Sequence, residues 1–91
     1  MTKTILIIGM GQGLSLGIAG KFGKEGYQVG MISRSSDKLL GFQTELKEQG
    51  VISEFVTADV ADTGEMINAI NEIKTKLGSI SVLEYTPQTS V

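Results

Sequence analysis

Apolar runs with strand character alternate with apolar stripes of helical spacing along the whole of this 91-residue chain. The runs are rich in β-branched residues and predict four strands, at residues 3–8, 27–33, 52–57 and 81–85. The stripes predict three helices between them: Leu14, Ile18 and Phe22, then Leu39, Phe42 and Leu46, then Met66, Ile70, Ile73 and Leu77. Strands that alternate with helices predict an α/β fold with a parallel sheet and right-handed crossovers.

Glycines and short polar residues mark the ends of the predicted helices. Each helix stops just before a glycine that can close it in a left-handed conformation, at Gly26, Gly50 and Gly78. Asp62 and Glu65 have the spacing of a capping box, which predicts that the third helix begins after Asp62. The second helix has three candidate caps, Ser35, Ser36 and Asp37. Gly17 and Gly20 are interpreted as packing glycines that let the first helix lie close to the sheet.

Composition excludes several classes of function. Eight basic against ten acidic residues give a net charge of −2, and no basic cluster is present to attract nucleic acid or an acidic membrane. The chain has no cysteine and no histidine, so it lacks disulfides and the usual zinc ligands, and no metal site is expected. Residues 4–8 are too few to span a membrane. We expect a cytoplasmic protein in which residues 1–91 form one domain or part of one.

Glycine is concentrated where the first strand gives way to the first helix, at Gly9, Gly11, Gly13, Gly17 and Gly20. Dinucleotide-binding folds place a diphosphate at this turn, where bare backbone and a helix N-terminus approach the phosphates. The common G-x-G-x-x-G pattern is incomplete, because its third position is Leu14 when counted from Gly9 and Leu16 when counted from Gly11. Because of the position of this turn, we still expect it to contact a dinucleotide cofactor, through residues Gly9, Gly11, Gly13, Leu14 and Ser15.

The spacing Gly9-x-x-x-Gly13-x-Ser15 resembles the T-G-x-x-x-G-x-G of short-chain dehydrogenases/reductases. "LGIAGKFGKEGYQVGMISRS" resembles the first helix and second strand of that family, and "TADVAD" resembles its segment after strand three. "LGSISVLEYTP" is similar to its L-G-x-I-D-x-L-V-N-N-A-G, so the resemblance spans essentially the whole chain. It implies a three-layer Rossmann-type unit with strand order 3-2-1-4, incomplete relative to a full domain, in which the cofactor lies at the carboxyl ends of the strands.

Two positions and one segment depart from the family pattern. Ser15 replaces the last glycine, which adds a side chain where helix and strand pack, or a hydroxyl for a phosphate. Ile8 replaces the threonine before Gly9. Residues 84–88 replace V-N-N-A-G, and only the strand-end character of that segment is shared.

The end of the second strand favours NADP(H) over NAD(H). NAD-binding folds place an acidic residue there for the ribose 2′-hydroxyl, but this chain has Ser33, Arg34 and Ser35. An arginine can bind a 2′-phosphate through its fork, and two hydroxyls can add hydrogen bonds. The alternative is that Arg34 is a surface charge beside a helix cap. The resemblance also implies that Asp59 and Val60 contact the adenine, whereas Asp59 could instead only organise a turn.

The resemblance implies hydride transfer between NADP(H) and a carbonyl or alcohol, with a Tyr-x-x-x-Lys pair in the catalytic half. Neither Tyr27 nor Tyr85 has a lysine four positions on, so no catalytic residue is assigned and the chain alone is expected to be inactive. We expect the N-terminal part of a longer oxidoreductase. The alternatives are a complete, non-catalytic nucleotide-binding or interaction module and a flavodoxin-like receiver or FMN binder. A homodimer is expected through the exposed edge of the fourth strand or through residues 86–91.

Overall fold

The computed structural model describes residues 3–9 and 14–85, with the side chains of residues 14 and 15 outside that description. Within this range, strands and helices alternate as predicted. The elements are β1 (Thr4–Ile8), α1 (Leu14–Lys24), β2 (Gln28–Ser33), α2 (Ser36–Glu48), β3 (Ser53–Thr57), α3 (Thr63–Leu77) and β4 (Val82–Tyr85).

The four strands form one sheet in the order β3-β2-β1-β4, and every neighbouring pair is parallel. This confirms the predicted strand order. In a flavodoxin-like sheet β3 would lie beside β1, so the observed order excludes that alternative. At the centre of the sheet, Leu6 lies opposite Gly30 on one side and Leu83 on the other.

Each strand begins one residue later than the sequence predicts, at residues 4, 28, 53 and 82. The residues before the strands still take part in the pairing. The N–H of Gln28 donates to the carbonyl oxygen of Lys3 at 2.8 Å, and that of Val29 donates to Ile52 at 2.9 Å. The difference therefore concerns how the strand ends are assigned and does not change the register of the sheet.

Two hydrophobic cores cover the two faces of the sheet. One is shared with α1 and α2 and is built on Ile5, Ile7, Val29, Met31, Ala19, Leu39, Phe42, Leu46 and Val51. The other is shared with α3 and is built on Leu6, Ile8, Ile32, Ala58, Ala69 and Ile73. Alternate residues of β1 enter opposite cores, so the whole strand is buried, as predicted for a central parallel strand.

The predicted helix ends are confirmed by backbone geometry. Gly26, Gly50 and Gly78 have φ values of 93°, 79° and 88°, which a residue with a side chain rarely adopts. At the start of α2, Ser35 is the cap, and its hydroxyl oxygen accepts the N–H of Lys38 at 3.4 Å. The three candidate caps of the second helix are thereby reduced to one.

The prediction that Gly17 and Gly20 pack against the sheet is wrong. A Cβ at Gly17 would meet nothing within 4 Å, and one at Gly20 would meet only the side-chain oxygen of Gln49, at 3.2 Å. In α1 it is Gly23 that allows close packing, against Val51, because a Cβ at position 23 would overlap the Val51 side chain. Gly23 lies one helical turn after the fully buried Ala19, so it faces inward, whereas Gly17 is exposed.

Candidate functional site

The residues predicted to bind a ligand follow the carboxyl ends of three adjacent strands. Gly9 follows β1, Arg34 follows β2, and Asp59 lies two residues beyond β3. Because the strands are parallel, these ends lie at one edge of the sheet, where open α/β sheets bind ligands. The fold therefore brings together segments that are up to 50 residues apart in the sequence.

Gly9 turns the chain away from the sheet directly after β1. Its φ is 81°, a value that favours glycine, and its N–H donates to the carbonyl oxygen of Ile32 at 2.8 Å. Gly11 and Gly13 lie outside the described residues. Leu14 and Ser15 are the first two residues of α1, and no acidic residue lies in the first turn of that helix. The N-terminal N–H groups of α1 therefore keep their partial positive charge, which favours an anion.

Arg34 lies beside a cleft of about 270 Å³ that is lined by Arg34, Thr57, Ala58, Asp59 and Glu65. Its side chain is exposed and forms no ion pair with any residue that the structure describes. Ser33 is half-buried, and its carbonyl oxygen accepts the N–H of Ala58 at 2.9 Å. The hydroxyl of Ser35 caps α2, so the helix-cap alternative for this segment is correct for Ser35.

Asp59 organises the turn between β3 and α3. Its Oδ1 accepts the N–H of Ala61 at 2.9 Å, and its carbonyl oxygen accepts the N–H of Asp62, also at 2.9 Å. The N–H of Val60, between them, has no hydrogen-bond partner among residues 3–9 and 14–85. A carboxylate that accepts and a backbone N–H that can donate therefore lie side by side in the turn.

The capping box at the start of α3 is only half formed. Asp62 Oδ1 accepts the N–H of Glu65 at 3.0 Å, as predicted. The carboxylate of Glu65 does not return to the N–H of Asp62, because that group already donates to Asp59. Glu65 Oε1 instead accepts the N–H of Asp59, at 3.1 Å. The capping-box prediction is therefore wrong for this second bond. Glu65 lines the cleft beside Arg34 and Asp59, and the sequence did not predict it as a site residue.

A larger cleft of the described structure does not belong to this site. It measures about 610 Å³ and is lined by Leu40, Gln43, Thr44, Lys47, Gly50, Val51, Ile52 and Ser53. Residues 50–53 lead into the amino end of β3, so this cleft lies at the edge of the sheet opposite Arg34 and Asp59.

Two features of other functional classes, a metal-binding cluster and a membrane-spanning helix, are absent from the described residues. No group of three acidic, histidine or cysteine side chains in residues 3–9 and 14–85 is placed to hold a metal ion. None of the described helices is long and apolar enough to cross a membrane. Residues 86–91, which include most of the segment that departs from V-N-N-A-G, lie outside the described residues.

Comparisons with known proteins agree with this geometry. The family model described as short chain dehydrogenase matches residues 3–86. A 3-oxoacyl-(acyl-carrier-protein) reductase, FabG of Staphylococcus aureus, is 36% identical over 84 residues, which are 91% of this chain and 34% of the relative. The chain thus spans about a third of the length of the curated relatives it matches.

Solved structures show the same fold over nearly the whole chain. A variant of actinorhodin polyketide ketoreductase with NADPH matches with a TM-score of 0.89 and 29% identity, over 93% of this chain and 33% of that one. L-sorbose reductase from Gluconobacter frateurii, complexed with NADPH and L-sorbose, also has a TM-score of 0.89, with 28% identity over 99% of this chain and 35% of that one. The four-stranded unit is therefore the same partial Rossmann sheet in both structures.

Proposed function

Because this chain belongs to the short-chain dehydrogenase family, we propose that it is the NADP(H)-binding portion of an oxidoreductase acting on a carbonyl or alcohol. The nicotinamide would supply or accept the hydride in the whole enzyme, and this chain would hold the other end of the cofactor. The observation that carries the proposal is that the guanidinium of Arg34, which follows the strand where NAD-binding folds place an acid, forms no ion pair with any described residue.

The diphosphate would lie at the junction of β1 and α1. Gly9 provides the turn, and the backbone of Gly11, Gly13, Leu14 and Ser15 would approach the phosphates at the N-terminus of α1. The absence of an acidic residue from the first turn of α1 supports this assignment, since a carboxylate there would repel the diphosphate.

The 2′-phosphate of NADP(H) would be bound by Arg34, with Ser33 and Ser35 beside it. A guanidinium can donate two parallel hydrogen bonds to a phosphate, and Arg34 has no ion pair with a described residue that it would have to break first. Two of the similar solved structures, the actinorhodin ketoreductase and L-sorbose reductase, are described with NADPH, which supports this choice of cofactor.

The adenine would be bound by Asp59 and Val60. The 6-amino group of adenine is a donor and its N1 is an acceptor, so this edge complements the Asp59 carboxylate followed by the Val60 N–H. Asp59 would then both organise the turn and contact the base, so its two interpretations are compatible.

Thermal unfolding of this chain with NADPH, with NADH or with neither tests the proposal. A ligand at about one hundred times its dissociation constant stabilises the folded state by about 2.7 kcal/mol. We expect NADPH to raise the midpoint more than NADH does. Equal shifts would contradict the role of Arg34, and no shift with either cofactor would contradict cofactor binding by this chain.

The second candidate is a non-catalytic nucleotide-binding or interaction module that works as a dimer. It is favoured by β4, an edge strand of the described sheet, whose Leu83 and Tyr85 are 59% and 58% exposed. We propose that this edge pairs with a second copy, because an uncovered strand with apolar side chains is prone to association. A reading frame that continues into Tyr-x-x-x-Lys would favour the oxidoreductase over the module.

A further inference from the structure

We infer that Glu65 is a positioning residue for the adenine, because its carboxylate holds the turn that carries Asp59 and Val60. This inference rests on the proposed function, since it assigns a role within the proposed NADP(H) site. Its basis is the hydrogen bond from the N–H of Asp59 to Glu65 Oε1, at 3.1 Å, which replaces the return bond of an ordinary capping box.

Three hydrogen bonds between described residues close the turn between β3 and α3. A fourth joins it to the first turn of the helix, together with the bond from the Met66 N–H to the carbonyl oxygen of Asp62. Asp59 takes part in all three of the first group: its N–H donates to Glu65, its Oδ1 accepts from Ala61 and its carbonyl oxygen accepts from Asp62. The fourth runs from the N–H of Glu65 to Asp62 Oδ1. Glu65 is thus the residue that connects Asp59 directly to α3, which is itself packed on the sheet through Ile73.

The same bond determines which backbone group remains available to a ligand. Among residues 58–62, the N–H groups of Ala58, Asp59, Ala61 and Asp62 donate to protein acceptors, whereas that of Val60 donates to no acceptor in the described part of the chain. With Glu65 in place, the turn offers one donor next to one carboxylate. Without it, the neighbouring N–H of Asp59 would be released and Asp59 would lose its direct bond to the helix. A turn that is ordered before binding costs less conformational entropy when the ligand arrives.

Glu65 also places a negative charge in the cleft that contains Arg34. This charge opposes a 2′-phosphate, whereas the hydrogen bond from the Asp59 N–H to the Glu65 side chain favours adenine binding. The two effects on NADP(H) binding are opposite and must be separated by experiment. Glu65→Gln keeps an oxygen that can accept from Asp59 but removes the charge. Glu65→Asp keeps the charge and remains suitable for the first turn of a helix, but its side chain is one methylene shorter.

The test compares NADPH with its hypoxanthine analogue, deamino-NADPH, by titration calorimetry. Hypoxanthine has an oxygen at position 6 and a proton on N1, so it reverses the donor and the acceptor while the 2′-phosphate stays the same. The ratio of the two dissociation constants therefore reports on adenine recognition, and the effect of charge on the phosphate cancels. We expect the chain and Glu65→Gln to share the same preference for NADPH.

Glu65→Asp is expected to reduce that preference about tenfold, the order expected when a charge-assisted hydrogen bond is lost. Glu72→Ala is the matched control on the same helix, since it removes one exposed carboxylate away from the cleft and should leave the ratio unchanged. An unchanged ratio in Glu65→Asp would overturn the inference while leaving NADPH binding intact. A chain that binds neither cofactor would instead overturn the proposed function.

Amide hydrogen exchange gives a readout that needs no cofactor. The Asp59 N–H should exchange faster in Glu65→Asp than in Glu65→Gln, with no comparable change in the buried strand β1. Equal exchange of the Asp59 N–H in the two variants would show that Glu65 does not hold the turn and would overturn the inference.

Discussion

Gly30 in β2 and Ile73 in α3 are in such close contact that a Cβ at position 30 would lie 2.7 Å from Cγ2 of Ile73. Position 30 is also bounded in the sheet, opposite Leu6 of β1 and Glu54 of β3. The backbone there cannot retreat without disturbing two strand pairings. Glycine at this position therefore allows α3 to pack directly against the centre of the sheet.

We expect Gly30→Ala to lower the free energy of unfolding by about 1–3 kcal/mol, the usual cost of overpacking a filled core. Gly41→Ala in α2 is the control, because its Cβ would meet nothing within 4 Å, and it should be neutral or stabilising by up to about 1 kcal/mol. Urea unfolding measures both. If Ile73 is the obstacle, Gly30→Ala combined with Ile73→Ala should cost less than the sum of the two single changes.

Two glycines of α1 should respond in opposite directions to the same substitution. Gly17→Ala adds a methyl group in open space and should raise the free energy of unfolding by about 0.5–1 kcal/mol. Gly23→Ala places a methyl group against Val51 and should lower it by about 1–3 kcal/mol. Chemical denaturation of the pair measures this contrast, and a stabilising Gly23→Ala would show that α1 is not packed against Val51.

Arg34→Asp should weaken NADPH binding by at least about tenfold while leaving NADH binding nearly unchanged or stronger. The substitution replaces a phosphate donor with a carboxylate, which repels a 2′-phosphate and can accept from a ribose 2′-hydroxyl. Calorimetric titration with each cofactor measures the ratio. Lys24→Asp makes the same change of charge at the C-terminal end of α1, away from the proposed cofactor site. It should leave the ratio of NADPH to NADH affinity unaltered. Equal weakening for NADPH and NADH would exclude a specific 2′-phosphate contact.

The exposed edge of β4 should drive concentration-dependent association. Leu83 and Tyr85 pair in register with Leu6 and Ile8, so they share the α3 face of the sheet but remain mostly exposed. Leu83→Lys should shift the chain toward monomer in light scattering after gel filtration, because an edge lysine opposes strand pairing. Leu40→Lys in α2, at a residue that is 55% exposed, should not. A chain that is monomeric over a wide concentration range would contradict the proposed dimer.

The order of elements was predictable because each depends on neighbours in the sequence. The stripe Leu39, Phe42 and Leu46 is buried, as its spacing indicates. The glycines after the helices have positive φ values, which end the helices there. The strand order also followed, through the family resemblance and the geometry of right-handed crossovers. These features require only local spacing and a fold that many chains share.

Contacts between distant segments could not be predicted in the same way. The first helix contains three glycines, and nothing in the sequence shows that Gly23, and not Gly17 or Gly20, meets Val51. In the same way, Asp62 and Glu65 predict a capping box, but the competing bond between Asp62 and Asp59 diverts Glu65 to another N–H.

The sequence by itself determined the alternation of strands and helices, the helix ends and the edge of the sheet at which Gly9, Arg34 and Asp59 follow their strands. Only the tertiary structure decided which glycines are essential for packing, that Arg34 has no internal partner among the described residues, and that Glu65 joins the site. The physical reason is that periodicity and capping act within a few residues. Steric contact and hydrogen-bond competition, in contrast, depend on which surfaces and turns the fold brings together.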